Sequence, residues 1–179
     1  MHAAMRNLFF ALVPPPALRT AFAREVVRLQ AEWGGRPTAT PKLHMTLLFL
    51  DAFPVPLDPD VVTAARAAGS AVALPCFGLA VDRADRFDRR VGWLGCSEVP
   101  AGMQVLHDAL AEAVARREVP MRRESRFVPH VTVLRDPKRP LPHAIAPLPW
   151  VVDSFALMAS AEGAYEVLGR WPLDDTPLV

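Results

Sequence analysis

The stretches Leu43-His44-Met45-Thr46-Leu47 and Pro129-His130-Val131-Thr132-Val133 repeat one five-residue pattern. Alternate residues of a β-strand point to the same face, so the histidine and the threonine of each stretch project together. The apolar residue between them points to the opposite face. The pattern therefore predicts two half-buried strands, each of which presents one imidazole and one hydroxyl side by side.

The repetition of this pattern is unexpected by chance. With five histidines and seven threonines in 179 residues, about 0.2 His-x-Thr triplets are expected at random. A single histidine in a strand is usually a partly buried ring that helps to hold the strand. A polar pair that recurs in two apolar strands instead favours a functional site. The other histidines, His2, His107 and His143, are interpreted as incidental.

Two imidazoles that flank a phosphodiester can act as a general base and a general acid. The unperturbed pKa of histidine is about 6.5, so near neutral pH one ring can be neutral while the other holds a proton. Threonine hydroxyls can donate hydrogen bonds to the non-bridging oxygens during displacement at phosphorus. A catalytic zinc ion usually needs three protein ligands, and no third histidine or carboxylate lies at metal spacing. The sequence therefore predicts no metal and no cofactor.

The segments around the two motifs predict alternating strands and helices. Strands are expected at 7–13, 43–50, 76–81, 91–96, 127–134, 151–159 and 165–171, and helices at 17–33, 59–71 and 101–117. The charged stretch 82–90 and the proline-studded stretch 137–149 are interpreted as connections, and Glu162-Gly163 as the turn of the last strand pair. This order predicts an α+β fold with helices packed on an antiparallel sheet. The motif in each half suggests a duplicated architecture.

Length and composition predict one globular domain over residues 1–179. Apolar residues make up 51% and charged residues 22% of the chain, which excludes a disordered or fibrous protein. No apolar stretch approaches the roughly 18 residues that a membrane span needs. A cytoplasmic monomer is expected, since we find no secretory cleavage site and no heptads. Cys76 and Cys96 form no CxxC motif and are interpreted as core thiols.

Positive charge is concentrated in one part of the chain. The net charge is +1, yet residues 116–139 carry eight basic and three acidic side chains. Such a segment can attract an anionic ligand such as a phosphate or RNA. The alternative is a solvated, arginine-rich surface.

Four stretches together resemble the two-histidine (2H) phosphoesterase superfamily, within it the branch of bacterial RNA 2′,3′-cyclic phosphodiesterases first described as 2′-5′ RNA ligases. They are Asn7–Leu12 (Asn-Leu-Phe-Phe-Ala-Leu), Leu43–Leu50, Arg126–Arg135 and Tyr165–Leu173. The resemblance implies a bilobal α+β fold with pseudo-twofold symmetry. Each lobe would supply one motif strand to a central cleft, with helices packed outside.

The resemblance also implies hydrolysis of RNA 2′,3′-cyclic phosphate ends to 2′-phosphomonoesters without a metal. His130 would activate the attacking water, and His44 would protonate the departing ribose O3′. Thr46 and Thr132 would hold the phosphate oxygens. Arg135 matches an arginine that the family places near the phosphate. Strand parity argues against Arg135, because an odd offset from His130 sends a side chain to the opposite face unless the strand bends.

Further contacts of the substrate are less specific in the sequence. Phe10 and Trp93 are candidates for stacking on a base, although aromatic strand residues more often lie in the core. Similar sequences usually have a basic residue where Asn7 stands, which puts a substrate contact from the first strand in doubt. Tyr165 is interpreted as either a site or a packing residue.

Three functions remain open at this point. The leading hypothesis is a phosphodiesterase that acts on RNA ends or cyclic nucleotides. Ligation of 2′-5′ RNA ends would be the reverse reaction of the same site. A non-catalytic RNA or nucleotide-binding module would use the same cleft, but binding alone does not need two titratable rings.

Overall fold

The computed structural model describes residues 4–122, 126–161 and 164–175. The strands are β1 (Met5–Leu12), β2 (Arg36–Pro37), β3 (Met45–Pro54), β4 (Phe77–Phe87), β5 (Val91–Gly95), β6 (His130–Arg135), β7 (His143–Val152), β8 (Ser154–Ala161) and β9 (Ala164–Pro172). The helices are α1 (Pro16–Trp33), α2 (Pro59–Ser70) and α3 (Ala101–Ala115), and Thr40–Lys42 forms one 3-10 turn. The predicted turn at Glu162-Gly163 and His2 lie outside the described residues.

The strands form one antiparallel sheet in which the two motif strands are central neighbours. The order is β7-β4-β5-β6-β3-β1-β8-β9, and β2 pairs with β6 beside β3. Four strands lie on each side of the middle, β6-β5-β4-β7 on one side and β3-β1-β8-β9 on the other. The predicted α+β fold with an antiparallel sheet is confirmed, and the strand order has the pseudo-twofold form that the resemblance implies.

Each helix covers the sheet with an apolar face. In α1 the buried residues recur at three- and four-residue steps, from Leu18 through Phe22, Val26 and Leu29 to Trp33. The chain leaves this helix through Gly34, whose φ of 69° suits glycine. The predicted cap of α2 is confirmed, because the Asp58 carboxylate accepts a hydrogen bond of 2.9 Å from the backbone N–H of Asp60.

The pleat of β1 separates the two faces of the sheet. Leu8, Phe10 and Leu12 belong to the main core under the helices. Phe9 and Ala11 point the other way, into a small second cluster with residues of β8. The sheet therefore has one face that is covered by the helices. On the opposite face, called the open face below, the second cluster contains no residue of a helix among those that the structure describes.

Two predicted connections are strands in the structure. The prolines of the stretch 137–149 predict a connection, but β7 occupies His143–Val152. This strand is at the edge of the sheet, where proline is tolerated because one side of the backbone needs no partner. β4 continues through most of the charged stretch 82–90, since its backbone stays paired with β5 as far as Phe87.

The interpretation of the cysteines as core thiols is confirmed. Cys76 and Cys96 are partly buried, packed against the main core and not joined in a disulfide. Burial raises the pKa of the Cys96 thiol to about 11, and the nearby Asp82 carboxylate acts in the same direction.

No helix in the described part of the chain is long and apolar enough to span a bilayer.

Candidate active site

The register between β3 and β6 brings the two motifs side by side. Met45 pairs with Val131, and both side chains are fully buried in the main core. In an antiparallel pair, one step to either side places His44 beside Thr132 and Thr46 beside His130. All four polar side chains therefore point to the open face of the sheet. They line one cleft of about 720 Å³.

Each of the two imidazoles forms the same kind of hydrogen bond with a backbone carbonyl. His44 Nδ1 lies 2.7 Å from the carbonyl oxygen of Lys42, and His130 Nδ1 lies 2.7 Å from that of Val128. A carbonyl oxygen can only accept, so Nδ1 carries a hydrogen in both rings. In the neutral form, Nε2 is then the nitrogen without a hydrogen, which is the atom that can accept a proton.

Aromatic rings hold each histidine from the side. In what we call the His44 half-site, Phe9 stacks on His44 with ring centroids 5.0 Å apart, and Tyr165 meets the ring edge-on at 4.9 Å. In the His130 half-site, Phe87 meets His130 edge-on at 4.7 Å, and the Trp93 ring lies 6.1 Å away. No sequence pattern distinguishes Phe9 or Phe87 from other aromatic strand residues, and both line the cleft.

Burial and charge favour the neutral form of His44. Burial is the main cause that lowers the pKa of His44, and the positive charges of His130 and Arg135 lower it further. The hydrogen bond to the Lys42 carbonyl acts in the opposite direction. Burial also raises the pKa of Tyr165, so its hydroxyl keeps its proton at neutral pH.

A β-bulge in β6 brings Arg135 into the cleft. Trp93 pairs with Thr132, but the neighbouring Gly92 pairs with Leu134, so Val133 is an extra residue in β6. Val133 and Leu134 are both fully buried. The alternation is thereby shifted by one residue, and Arg135 lines the cleft. This bend removes the objection that strand parity raised against Arg135.

β3 contains the equivalent bulge. Thr46 pairs with Ala11 and Leu48 with Phe10, so Leu47 is the inserted residue. Leu47 and Leu48 are both buried, and Phe49 then turns toward the cleft and lines it. Phe49 thus occupies in β3 the position that Arg135 occupies in β6, five residues after the motif histidine.

Neither predicted stacking residue lines the cleft. Phe10 has an exposed fraction of 0% and packs against Phe155 and Trp171 in the core, so its assignment to base stacking is wrong. Trp93 is 6% exposed and lies against Phe87 and His130. Its assignment is also wrong, because these contacts leave too little of the indole open to receive a base.

Phe9 lines the cleft instead of Phe10, and the sequence contained a weak sign of this. Asn7 also lines the cleft, at the same strand parity as Phe9. A polar residue in an otherwise apolar strand marks the face that is not in the core. Asn7 therefore lies where the first strand can contact a substrate, although it is not a basic residue.

The basic segment 116–139 does not form one surface. Arg116 and Arg117 line a separate groove at the end of α3. The Arg122 guanidinium lies 5.2 Å from the Phe49 ring centroid and pairs with the Asp51 carboxylate at 3.2 Å. Residues 123–125 lie outside the described part of the chain. Among the described arginines and lysines of this segment, Arg135 is the one that lines the cleft.

Two cations of the cleft come from outside that segment. Arg36 lines the cleft and forms an ion pair with Asp136. Lys42 lines the cleft as well, and its carbonyl is the one that orients His44. Sequence reasoning missed both, because β2 and the 3-10 turn had no recognisable pattern of their own.

No group of three or more His, Cys, Asp or Glu side chains in residues 4–122, 126–161 and 164–175 is placed to hold a metal ion.

Comparison with known proteins agrees with this arrangement. A sequence model described as "2'-5' RNA ligase superfamily" matches residues 14–164, which is most of the chain. The chain belongs to this superfamily. Its resemblance to the 2H phosphoesterases, noted in the sequence, is thereby confirmed.

Relatives within the superfamily match over nearly their whole length. The RNA 2',3'-cyclic phosphodiesterase of Escherichia coli (strain K12) is 31% identical over 175 residues, which cover 94% of this chain and 97% of that protein. The crystal structure of E. coli LigT complexed with 3'-AMP superimposes with a TM-score of 0.77 at 29% identity, covering 95% of this chain and 99% of that one. The crystal structure of TT0787 of Thermus thermophilus gives a TM-score of 0.74 at 25% identity, with coverage of 94% and 98%.

Proposed function

We propose that this protein is an RNA 2′,3′-cyclic phosphodiesterase that converts cyclic phosphate ends to 2′-phosphomonoesters by acid–base catalysis without a metal ion. The observation that carries the proposal is the pair of histidines at two neighbouring strands, His44 directly before β3 and His130 at the start of β6, each with Nδ1 bonded to a backbone carbonyl. With Nδ1 bonded in this way, Nε2 is the nitrogen of each neutral ring that can accept a proton. The activity of the E. coli relative supports the same substrate class.

The proposed reaction is one displacement at phosphorus. His130 takes a proton from water while the water oxygen bonds to phosphorus. The bond from phosphorus to O3′ breaks, and His44 gives its proton to O3′. Thr46, Thr132 and Arg135 bind the non-bridging oxygens, where charge must be held during the displacement. The product keeps its phosphate on O2′.

The roles of the two rings depend on the bound phosphate. In the substrate-free cleft the lowered pKa of His44 favours its neutral form, whereas the proposed acid must hold a proton. A bound phosphodiester carries a negative charge, which favours the protonated form of a neighbouring imidazole. We infer that binding of the negatively charged substrate causes His44 to take up the proton that the leaving oxygen needs.

Ligation is a second reaction of the same site. If the 5′-hydroxyl of another RNA takes the place of water, the same displacement makes a 2′-5′ phosphodiester bond. The match to the 2'-5' RNA ligase superfamily is the observation that favours this activity. A purely binding function is less well supported, because binding an anion needs hydrogen-bond donors and not two titratable rings.

The test is incubation of the purified protein, in EDTA, with a short RNA that ends in a 2′,3′-cyclic phosphate. We expect a 2′-phosphate product, and a loss of about 10²- to 10⁴-fold in kcat/KM for His44→Ala and for His130→Ala. His143→Ala, a histidine outside the cleft, is the matched control and should remain active. Tight binding without turnover would instead support the binding module, and activity that requires a divalent ion would contradict the metal-free mechanism.

The cytoplasmic location, the monomeric state and the extent of the domain over residues 1–179 remain predictions from the sequence.

A further inference from the structure

A third histidine lies directly behind the two motif strands. His107, on α3, has its Nδ1 2.8 Å from the carbonyl oxygen of Leu47. Its ring stacks on Phe127 with centroids 4.1 Å apart and an interplanar angle of 11°. The carbonyl can only accept, so His107 Nδ1 donates this hydrogen bond. One side chain thus contacts β3 and the segment that leads into β6.

In β3, His107 contacts Leu47, the residue of the bulge next to Thr46. Leu47 follows Thr46 directly and is the residue that the bulge inserts between the paired Thr46 and Leu48. A bulge locally disrupts the ladder, so its geometry depends on contacts from outside the strand pair. The hydrogen bond from His107 restrains the peptide between Leu47 and Leu48, one residue after Thr46.

Phe127, on which His107 stacks, is next in sequence to the residue whose carbonyl orients His130. Phe127 precedes Val128, whose carbonyl oxygen accepts the hydrogen bond from His130 Nδ1. Parallel stacking at this distance restricts the Phe127 ring and the backbone that carries it. A shift of the Val128 carbonyl would change the orientation of the His130 imidazole.

We propose that His107 is a positioning residue that holds both half-sites in catalytic alignment through its Leu47 hydrogen bond and its Phe127 stack. The inference rests on the proposed phosphodiesterase function. His107 acts through the backbone of its neighbours and does not line the cleft. Its removal should therefore lower the rate of the chemical step more than it weakens the binding of substrate.

The two contacts can be removed separately. His107→Asn keeps a nitrogen donor near the position of Nδ1 and loses the ring. His107→Phe keeps the ring for the stack on Phe127 and loses the donor. His143→Phe is the matched control: His143 Nδ1 also faces a carbonyl, that of Leu141, and its ring also meets an aromatic side chain, but it lies outside the cleft.

The experiment measures kcat and KM on the cyclic phosphate RNA, well below the unfolding temperature of each variant. We expect His107→Phe to lower kcat about tenfold with KM changed less than about twofold, and His107→Asn to recover part of that loss. In a Thr46→Val background, His107→Phe should cost less, because part of its effect acts through Thr46. His143→Phe should keep the wild-type kcat.

Several results would overturn the proposal. A wild-type kcat in folded His107→Phe, an effect confined to KM, or the same loss in His143→Phe would each do so, as would full additivity with Thr46→Val. An inactive wild-type protein would instead contradict the proposed function. In that case, the imidazole N–H signal of His107 in proton NMR still reports the Leu47 bond, and its absence from the wild-type spectrum would contradict the positioning role.

Discussion

The His44 and His130 half-sites have the same backbone and different surroundings. In both, Nδ1 bonds the carbonyl two residues earlier at 2.7 Å, and in both a bulge follows the threonine. The residue that the bulge turns into the cleft is Phe49 in one strand and Arg135 in the other. The duplicated backbone supplies two equivalent rings, and single side chains then make the two halves unequal.

The charged side chain that makes the two halves unequal lies nearer to one of the two histidines. Because β3 and β6 are antiparallel, Arg135 lies beyond Thr132 on the side of His44. The effect of its charge on the pKa values of His44 and Tyr165 agrees with that placement. The bulges therefore put a cationic side chain, Arg135, on the His44 side of the cleft and an aromatic one, Phe49, on the His130 side. Under the proposed function, we expect this difference to favour one orientation of a bound RNA end.

A change of leaving group should break the equivalence of the two rings most clearly. If sulfur replaces O3′ in the cyclic phosphate, the leaving thiolate needs little help from an acid, because the pKa of a thiol is about 8.5. We expect this substrate to restore His44→Ala to within about tenfold of the wild-type rate, while His130→Ala keeps a loss of about 10²-fold or more. Steady-state kcat/KM on both substrates measures the effect.

The opposite pattern, with rescue of His130→Ala, would exchange the roles of acid and base. Equal rescue of both variants would show that the two half-sites are interchangeable. A bell-shaped pH profile does not separate these cases, because either assignment needs one protonated and one neutral ring.

The two bulge positions offer a second way to sharpen the comparison. Hydrogen bonds to charged groups contribute about 1.5–3 kcal/mol, so Arg135→Met should lower kcat/KM about 10- to 150-fold. Phe49→Leu, at the equivalent position, should cost less than about fivefold, since it removes an apolar contact without a charge. Arg116→Met, in the separate groove at the end of α3, is the control for loss of a surface arginine. Equal losses at Phe49 and Arg135 would contradict the assignment of the phosphate to Arg135.

The smallest expected effect is on stability. The folded-state pKa of His44 lies below its unfolded value, so folding disfavours the protonated ring. This contribution to the free energy of unfolding is present above an unfolded pKa of about 6.5 and is lost as the pH falls toward the folded pKa. Urea unfolding at about pH 7.5 and about pH 5.5 should therefore show a smaller loss on acidification in His44→Gln than in the wild type. An identical loss in both proteins would contradict the burial of a neutral ring.

Sequence reasoning was most successful where the hydrophobic pattern is periodic. The two motif strands and the three helices follow from alternation and from three- and four-residue spacing. In β1, both faces are apolar, so the pattern could not distinguish Phe9 from Phe10. β7 was missed because its prolines are tolerated only at an edge, and edge positions are a property of the whole sheet.

The direction of the Arg135 side chain could not be predicted from the sequence for a different reason. Its direction depends on the extra residue Val133, and a bulge has no period that a sequence pattern can reveal. The resemblance to a family predicted its place near the site, while the parity of an ideal strand argued against it. The interpretation of His107 as incidental did not anticipate its two contacts, because Leu47 and Phe127 are distant from it in sequence.

The two fixed Nδ1 hydrogens also determine the state in which each turnover ends. Under the proposed reaction, His130 finishes with a proton on Nε2 and His44 finishes without one. In that product state the two rings are protonated as the reverse displacement requires, and not as a second hydrolysis requires. Before the protein can act again, His130 must therefore lose a proton and His44 must gain one. Because Nδ1 is held by a carbonyl in both rings, this recycling has to pass through the same Nε2 atoms and the open mouth of the cleft.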